Sequence, residues 1–124
     1  MDPITLAVPV LVVIGGKVVE KWGEKIGERT FEAGEKLFKS ITHKSPETAE
    51  KLKQLEPGEI IDAEIVEEVR RIADAEPTVK AEVEAVAKAA TADQKTFENL
   101  TKLAEKIGVV NLAPVQNQTN NFTI

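Results

Sequence analysis

The chain predicts an all-α fold, an up-and-down helical bundle of four to five helices followed by an uncharged tail. From Lys17 to Ile107 the large apolar residues recur at three, four or seven positions, the spacing of a buried helical stripe. Proline-containing breaks at Ser45-Pro46, Pro57-Gly58 and Pro77 separate these stripes by short connections, which favours antiparallel neighbours. Nothing before Gly108 reads as a sheet. A length of 124 residues suits one domain with a modest core.

The first element is the run Ile4 to Ile14, where only Thr5 and Pro9 interrupt the aliphatics. Two destinations suit it, a buried helix or strand of the core and a membrane. Its candidate membrane-engaging residues are Ile4, Leu6, Val8, Val10, Leu11, Val12, Val13 and Ile14. The uncharged stretch from Pro3 to Gly16 is shorter than the ~20 residues of a spanning helix, so insertion requires the next helix as well, with Lys17 snorkelling or facing a polar lumen. An Asp at Val10 or Val12 is expected to cost about 3 kcal/mol near the centre of an inserted helix. The first charge is Asp2, and no small-residue cleavage site follows, so a secretory signal is not expected.

A long helix is predicted next, from Lys17 to Thr42, with Val19, Trp22, Ile26, Ala33, Leu37 and Ile41 on its buried stripe. Gly16, Gly23, Gly27 and Gly34 fall on the edge of that stripe. Each glycine costs about 1 kcal/mol against Ala inside a helix. Their spacing of seven, four and seven nevertheless aligns them, which points to close helix packing within the bundle or within a membrane.

Ser45 then caps a short helix from Pro46 to about Leu55, with Pro46 in the first turn. A third helix starts at Asp62 with Ile65, Val69, Ile72 and Ala73, and stops before Pro77. Val79, Val83, Val86 and Ala90 mark a fourth. Thr91 or Asp93 caps a fifth carrying Phe97, Leu100, Leu103, Ala104 and Ile107, and Gly108 occupies the left-handed position that ends it. Residues 1–107 thus form the helical domain.

Residues 108–124 differ in kind, because seventeen residues pass without a charge. Val109, Val110, Leu112, Val115, Thr119, Phe122 and Ile124 supply apolar or extended-chain preference. Asn111, Gln116, Asn117, Gln118, Asn120 and Asn121 supply amides that form ladders when identical strands stack in register. A single copy has too little apolar surface to offset the entropy of ordering it. Pro114 interrupts the segment.

Composition narrows the function classes. A net charge of −5 gives no electrostatic footprint for nucleic acid, and Trp22, Phe31, Phe38, Phe97 and Phe122 are too few for base-stacking platforms. The absence of Cys removes disulfides and thiolate metal sites, which fits a cytoplasmic location. No enzyme, cofactor or metal is expected. His43 stands alone in a polar turn, and Gly15-Gly16-Lys17 lacks the first Gly and the Ser or Thr of a phosphate-binding loop. The carboxylates of "EPGEIIDAEIVEE" lack calcium-loop spacing and read as a solvated helix face.

Taken together, "MDPITLAVPVLVV", the glycine-punctuated run "KVVEKWGEKIGERTFEAGEKLF", the "KSPETA" turn and the Asn/Gln-rich end resemble the bacterial Bell domains. These are regarded as counterparts of the fungal HeLo and HeLo-like domains and of the membrane-attacking four-helix domain of the necroptosis pseudokinase. The resemblance implies a pore-forming effector of programmed cell death in bacterial innate immunity. It further implies that a NACHT or NB-ARC type receptor templates the tail through a matching amyloid motif, and that a latent cytoplasmic protein then forms a homo-oligomer at the cell membrane. The approach to a Val-Gln-Val-Gly amyloid core is Val115-Gln116-Asn117-Gln118, which lacks the second apolar residue and the Gly. The alternative expectation is a non-enzymatic helical adaptor whose N-terminal segment stays buried.

Overall fold

The computed structural model describes residues 3–15, 26–56 and 59–109. Among them are six helices and no strand: α1 Pro3–Gly15, α2 Glu28–Lys44, α3 Pro46–Lys53, α4 Ala63–Ala75, α5 Pro77–Thr91 and α6 Gln94–Lys106. The protein is therefore all-α, as its periodicity predicts. The opening apolar run is itself a helix.

Local chemistry sets most of the boundaries. The Ser45 hydroxyl accepts from Thr48 N–H at 3.3 Å and so caps α3, with Pro46 in its first turn. Asp62 accepts from Glu64 N–H at 2.9 Å to start α4. Glu76 is extended at φ −119 and ψ 109, as the residue before a proline prefers, and it separates α4 from α5. Asp93 caps α6 by accepting from the N–H groups of Lys95 and Thr96 at 3.1 and 3.4 Å. Gly108 then takes φ 84, the left-handed conformation that costs an L side chain about 1–2 kcal/mol.

One predicted helix is corrected. A continuous helix from Lys17 to Thr42 does not exist, because Ile26 lies at a bend and Gly27, at φ −69 and ψ 157, is the extended N-cap of α2. The cause is tertiary: Gly27 N–H donates to Thr96 Oγ1 at 2.8 Å, across 69 residues of sequence, instead of to a carbonyl of a preceding turn. The predicted part of this helix over residues 16–25 lies outside the described residues.

Packing is organised around α1, which touches each of the other five helices. The most extensive pairing among the rest joins α2 to α5. These two run antiparallel. Lys44 at the end of α2 meets Glu76 at the start of α5, 3.4 Å apart, while Arg29 and Glu32 nearer the start of α2 share a cleft with Glu82 and Ala85. Leu37, Ile41, Leu52, Val69, Val86 and Leu100 are each fully enclosed, and burying side chains of this size contributes about 1.5–3 kcal/mol apiece.

Candidate functional site

Every residue from Ile4 to Val13 is buried. Val8, Val10, Leu11, Val12 and Val13 are each 0 % exposed, Leu6 is 2 %, and Ile14 is half-buried against the same core. A helix buried on all its faces has no polar side to turn to water, and its natural place is the centre of a bundle. Of the two destinations open to this run, the described structure occupies the first. Seven of the eight candidate membrane-engaging residues are therefore buried inside the protein, and Ile14 lies at its edge.

The composition of α1 is a poor recipe for an isolated helix. Its valines and isoleucines lose side-chain freedom in a helix, and Pro9 lacks the N–H that would bond one turn back. At thirteen residues it falls within the range where isolated helices are marginal in water. Its helical state is thus imposed by its surroundings. At 1.5 Å per residue it is about 20 Å long, short of a ~30 Å hydrocarbon layer. Among the described residues no helix is long and apolar enough to cross a membrane.

Of the four aligned glycines, Gly34 acts as a packing glycine. A Cβ placed there would overlap Val10 Cγ1 and fall 2.5 Å from Ile14 Cδ1, so its bare backbone lets α1 cross α2 closely. Gly15 does the same at the end of α1, where an added Cβ would run into the Phe38 ring. Gly27 is corrected from an interior packing glycine to an N-cap, since its φ and ψ place it outside the helix that holds Gly34. Gly16 and Gly23 lie outside the described residues.

The exit of the tail is tied to the bundle. Ile61 N–H donates to Ile107 O at 2.7 Å, joining the segment before α4 to the end of α6. Val109 is 0 % exposed, so the core continues two residues past Ile107 and Val109 packs as a core residue. Beside this exit, Ile60 is 72 % exposed and its Cγ2 would lie 2.9 Å from a Cβ on Gly108. The remaining tail residues, Val110, Asn111, Leu112, Val115, Gln116, Asn117, Gln118, Thr119, Asn120, Asn121, Phe122 and Ile124, lie outside the described residues.

Two polar clusters were not legible as such in the sequence. In the first, Thr48 Oγ1 donates to Glu68 Oε1 at 2.7 Å and Lys51 Nζ to Glu68 Oε2 at 3.2 Å. The Ser45 hydroxyl, 2.7 Å from Thr48 Oγ1, completes the chain as donor because Thr48 uses its own proton on Glu68. The Thr48 hydroxyl, followed by Lys51, holds the Glu68 carboxyl below its ordinary pKa, and the bond to Glu68 raises that of Lys51. Ser45, Thr48 and Glu68 line a cleft of about 360 Å³ with Arg71, Ile72 and Ala75. In the second, buried Thr96 accepts from Gly27 N–H and donates to Asp93 Oδ2 at 3.0 Å. The capping pattern at Ser45 and Asp93 is readable, but the distant partners are not. His43 is exposed in the last turn of α2, and no described group of His, Asp and Glu is arranged to hold a metal ion.

These features define a class, an all-α bundle assembled around an internal helix that is apolar on every face. Comparison with protein-family models, with characterised proteins and with solved structures gives no match to this chain.

Proposed function

We propose that the protein is a latent membrane-permeabilising effector of cell death, in which α1 is the membrane-engaging element and the bundle its resting enclosure. The observation that carries this reading is the burial of α1: a helix with no polar face is held at the centre of five others. Such a segment is satisfied by an apolar core like this one and by a lipid hydrocarbon layer, where backbone groups again require a helix. Entry also requires chain beyond Gly15, because α1 alone is too short to span. The charge-free tail supplies the trigger, stacking with copies of itself or with a matching motif on a nucleotide-dependent receptor and concentrating the protein at the cell membrane. The 0 % exposure of Val8 and Val10 to Val13 also favours a second reading, a non-enzymatic adaptor whose α1 never leaves.

A disulfide lock separates the two. A Cβ on Gly34 lies 3.7 Å from Val10 Cβ, within the span of a disulfide, and the chain has no Cys of its own to compete. In Val10→Cys/Gly34→Cys a single Sγ replaces the two methyls of Val10, and the flexible end of the half-buried Ile14 side chain must shift to admit the new Cβ. Activated protein should leak dye from vesicles of cytoplasmic-membrane lipids when reduced and lose that activity when oxidised. Equal leakage in both states would exclude α1 as the agent. A reduced protein that never permeabilises, in step with an inactive unmodified chain, would support the adaptor.

A further inference from the structure

The groove that holds α1 is a receptor for a helix of this one composition, and we infer that it also accepts α1 from a second copy of the chain, giving a domain-swapped dimer. The seat is built by five helices, α2 to α6, all of which touch α1. Its shape is specific at two points: the bare backbone of Gly34 receives Val10 and Ile14, and the Phe38 ring abuts Gly15. An arriving copy of α1 finds the same two features. Every contact made within one chain is then remade between two, so exchange changes connectivity and leaves the packed core unchanged.

The covalent connection permits it. Twelve residues, 16–27, join the end of α1 to the start of α2, and at full extension they reach about 40 Å. That is about twice the length of α1 itself. Solvation also favours a second copy over an empty seat. A bundle without α1 exposes the apolar side chains that enclosed it, and α1 exposes eight core residues of its own. At high local concentration another α1 is the one segment already matched to that surface. The inference does not depend on α1 entering a membrane, since exchange takes place in water between two soluble bundles.

The test uses full-length chains without lipid. Val10→Cys and Gly34→Cys single variants are mixed, unfolded together, refolded at high concentration and oxidised. Both sulfurs are enclosed in a closed monomer, so a covalent heterodimer several-fold more abundant than either homodimer is the expected result. Heterodimer at or below the homodimer background overturns the proposal. Because Gly34→Cys places an atom against Val10 and is open to failed folding, the unmodified chain gives a second arm. A half isotope-labelled sample should yield a dimer with contacts between Val10 methyls of one copy and the Gly34 α-protons of the other. A chain that stays monomeric at its highest soluble concentration, or a dimer with these contacts only within each copy, overturns the proposal without reference to cysteine variants.

Discussion

Thr96 joins two elements far apart in sequence through one hydroxyl, accepting a hydrogen bond from Gly27 N–H and donating its own O–H to Asp93 Oδ2. Removing the hydroxyl while keeping the shape leaves the Gly27 donor without its acceptor, so Thr96→Val is expected to destabilise by about 2 kcal/mol and Thr96→Ser by much less. Urea unfolding of the three proteins measures both. Glu68 gives a pH-dependent counterpart. Its folded pKa is depressed, so its contribution is fully present above the unfolded value of 4.5 and is lost as pH falls through the lower folded value. Glu68→Gln should cost about 1 kcal/mol at neutral pH, a partly exposed pair being screened by solvent, with the gap to the unmodified protein closing in acid. An acid-independent gap would mean that shape rather than charge matters there. Sequence reading finds Asp93 and Ser45 because capping is local. It misses the Gly27 break because the partner that creates it lies 69 residues away.

At the scale of elements, α3 to α6 were legible almost to their ends. Ser45, Asp62, Pro77, Asp93 and Gly108 act on backbone groups within a turn of themselves, and each does so in the structure. The residue types that make α1 apolar on every side are the same for a core helix and for a membrane-seeking one, and periodicity carries no information where every position is apolar. Its burial also changes how a familiar perturbation is read. Val10 and Val12 are enclosed, so an Asp at either puts an unpaired charge into the folded core as well as into any membrane-inserted state. Loss of activity in such a variant would not distinguish the two. The reversible bond between positions 10 and 34 does, because it acts only on the departure of α1.

For the molecule as a whole, the proposal divides the chain into a bundle that stores an apolar helix and a tail that counts copies. The tail can be tested alone. A peptide of residues 108–124 should form fibres with strand and sheet spacings of about 4.8 and 10 Å, and these fibres should seed the full chain. A peptide that stays soluble at high concentration would leave the bundle without the proposed trigger. The attachment of the tail is legible in sequence through Gly108, yet the burial of Val109 and the bond from Ile61 to Ile107 depend on how distant segments meet.

The central place of α1 bears on how the protein is made. Of the six described helices, α1 leaves the ribosome first, while α6, one wall of its seat, follows 79 residues after Gly15. At ordinary synthesis rates that interval is roughly 4–16 s, during which eight core residues have an incomplete enclosure. A nascent chain in that condition carries exposed apolar surface, the feature that makes folding intermediates depend on chaperones. Translation speed across α2 to α6 thus sets how long α1 waits for its enclosure.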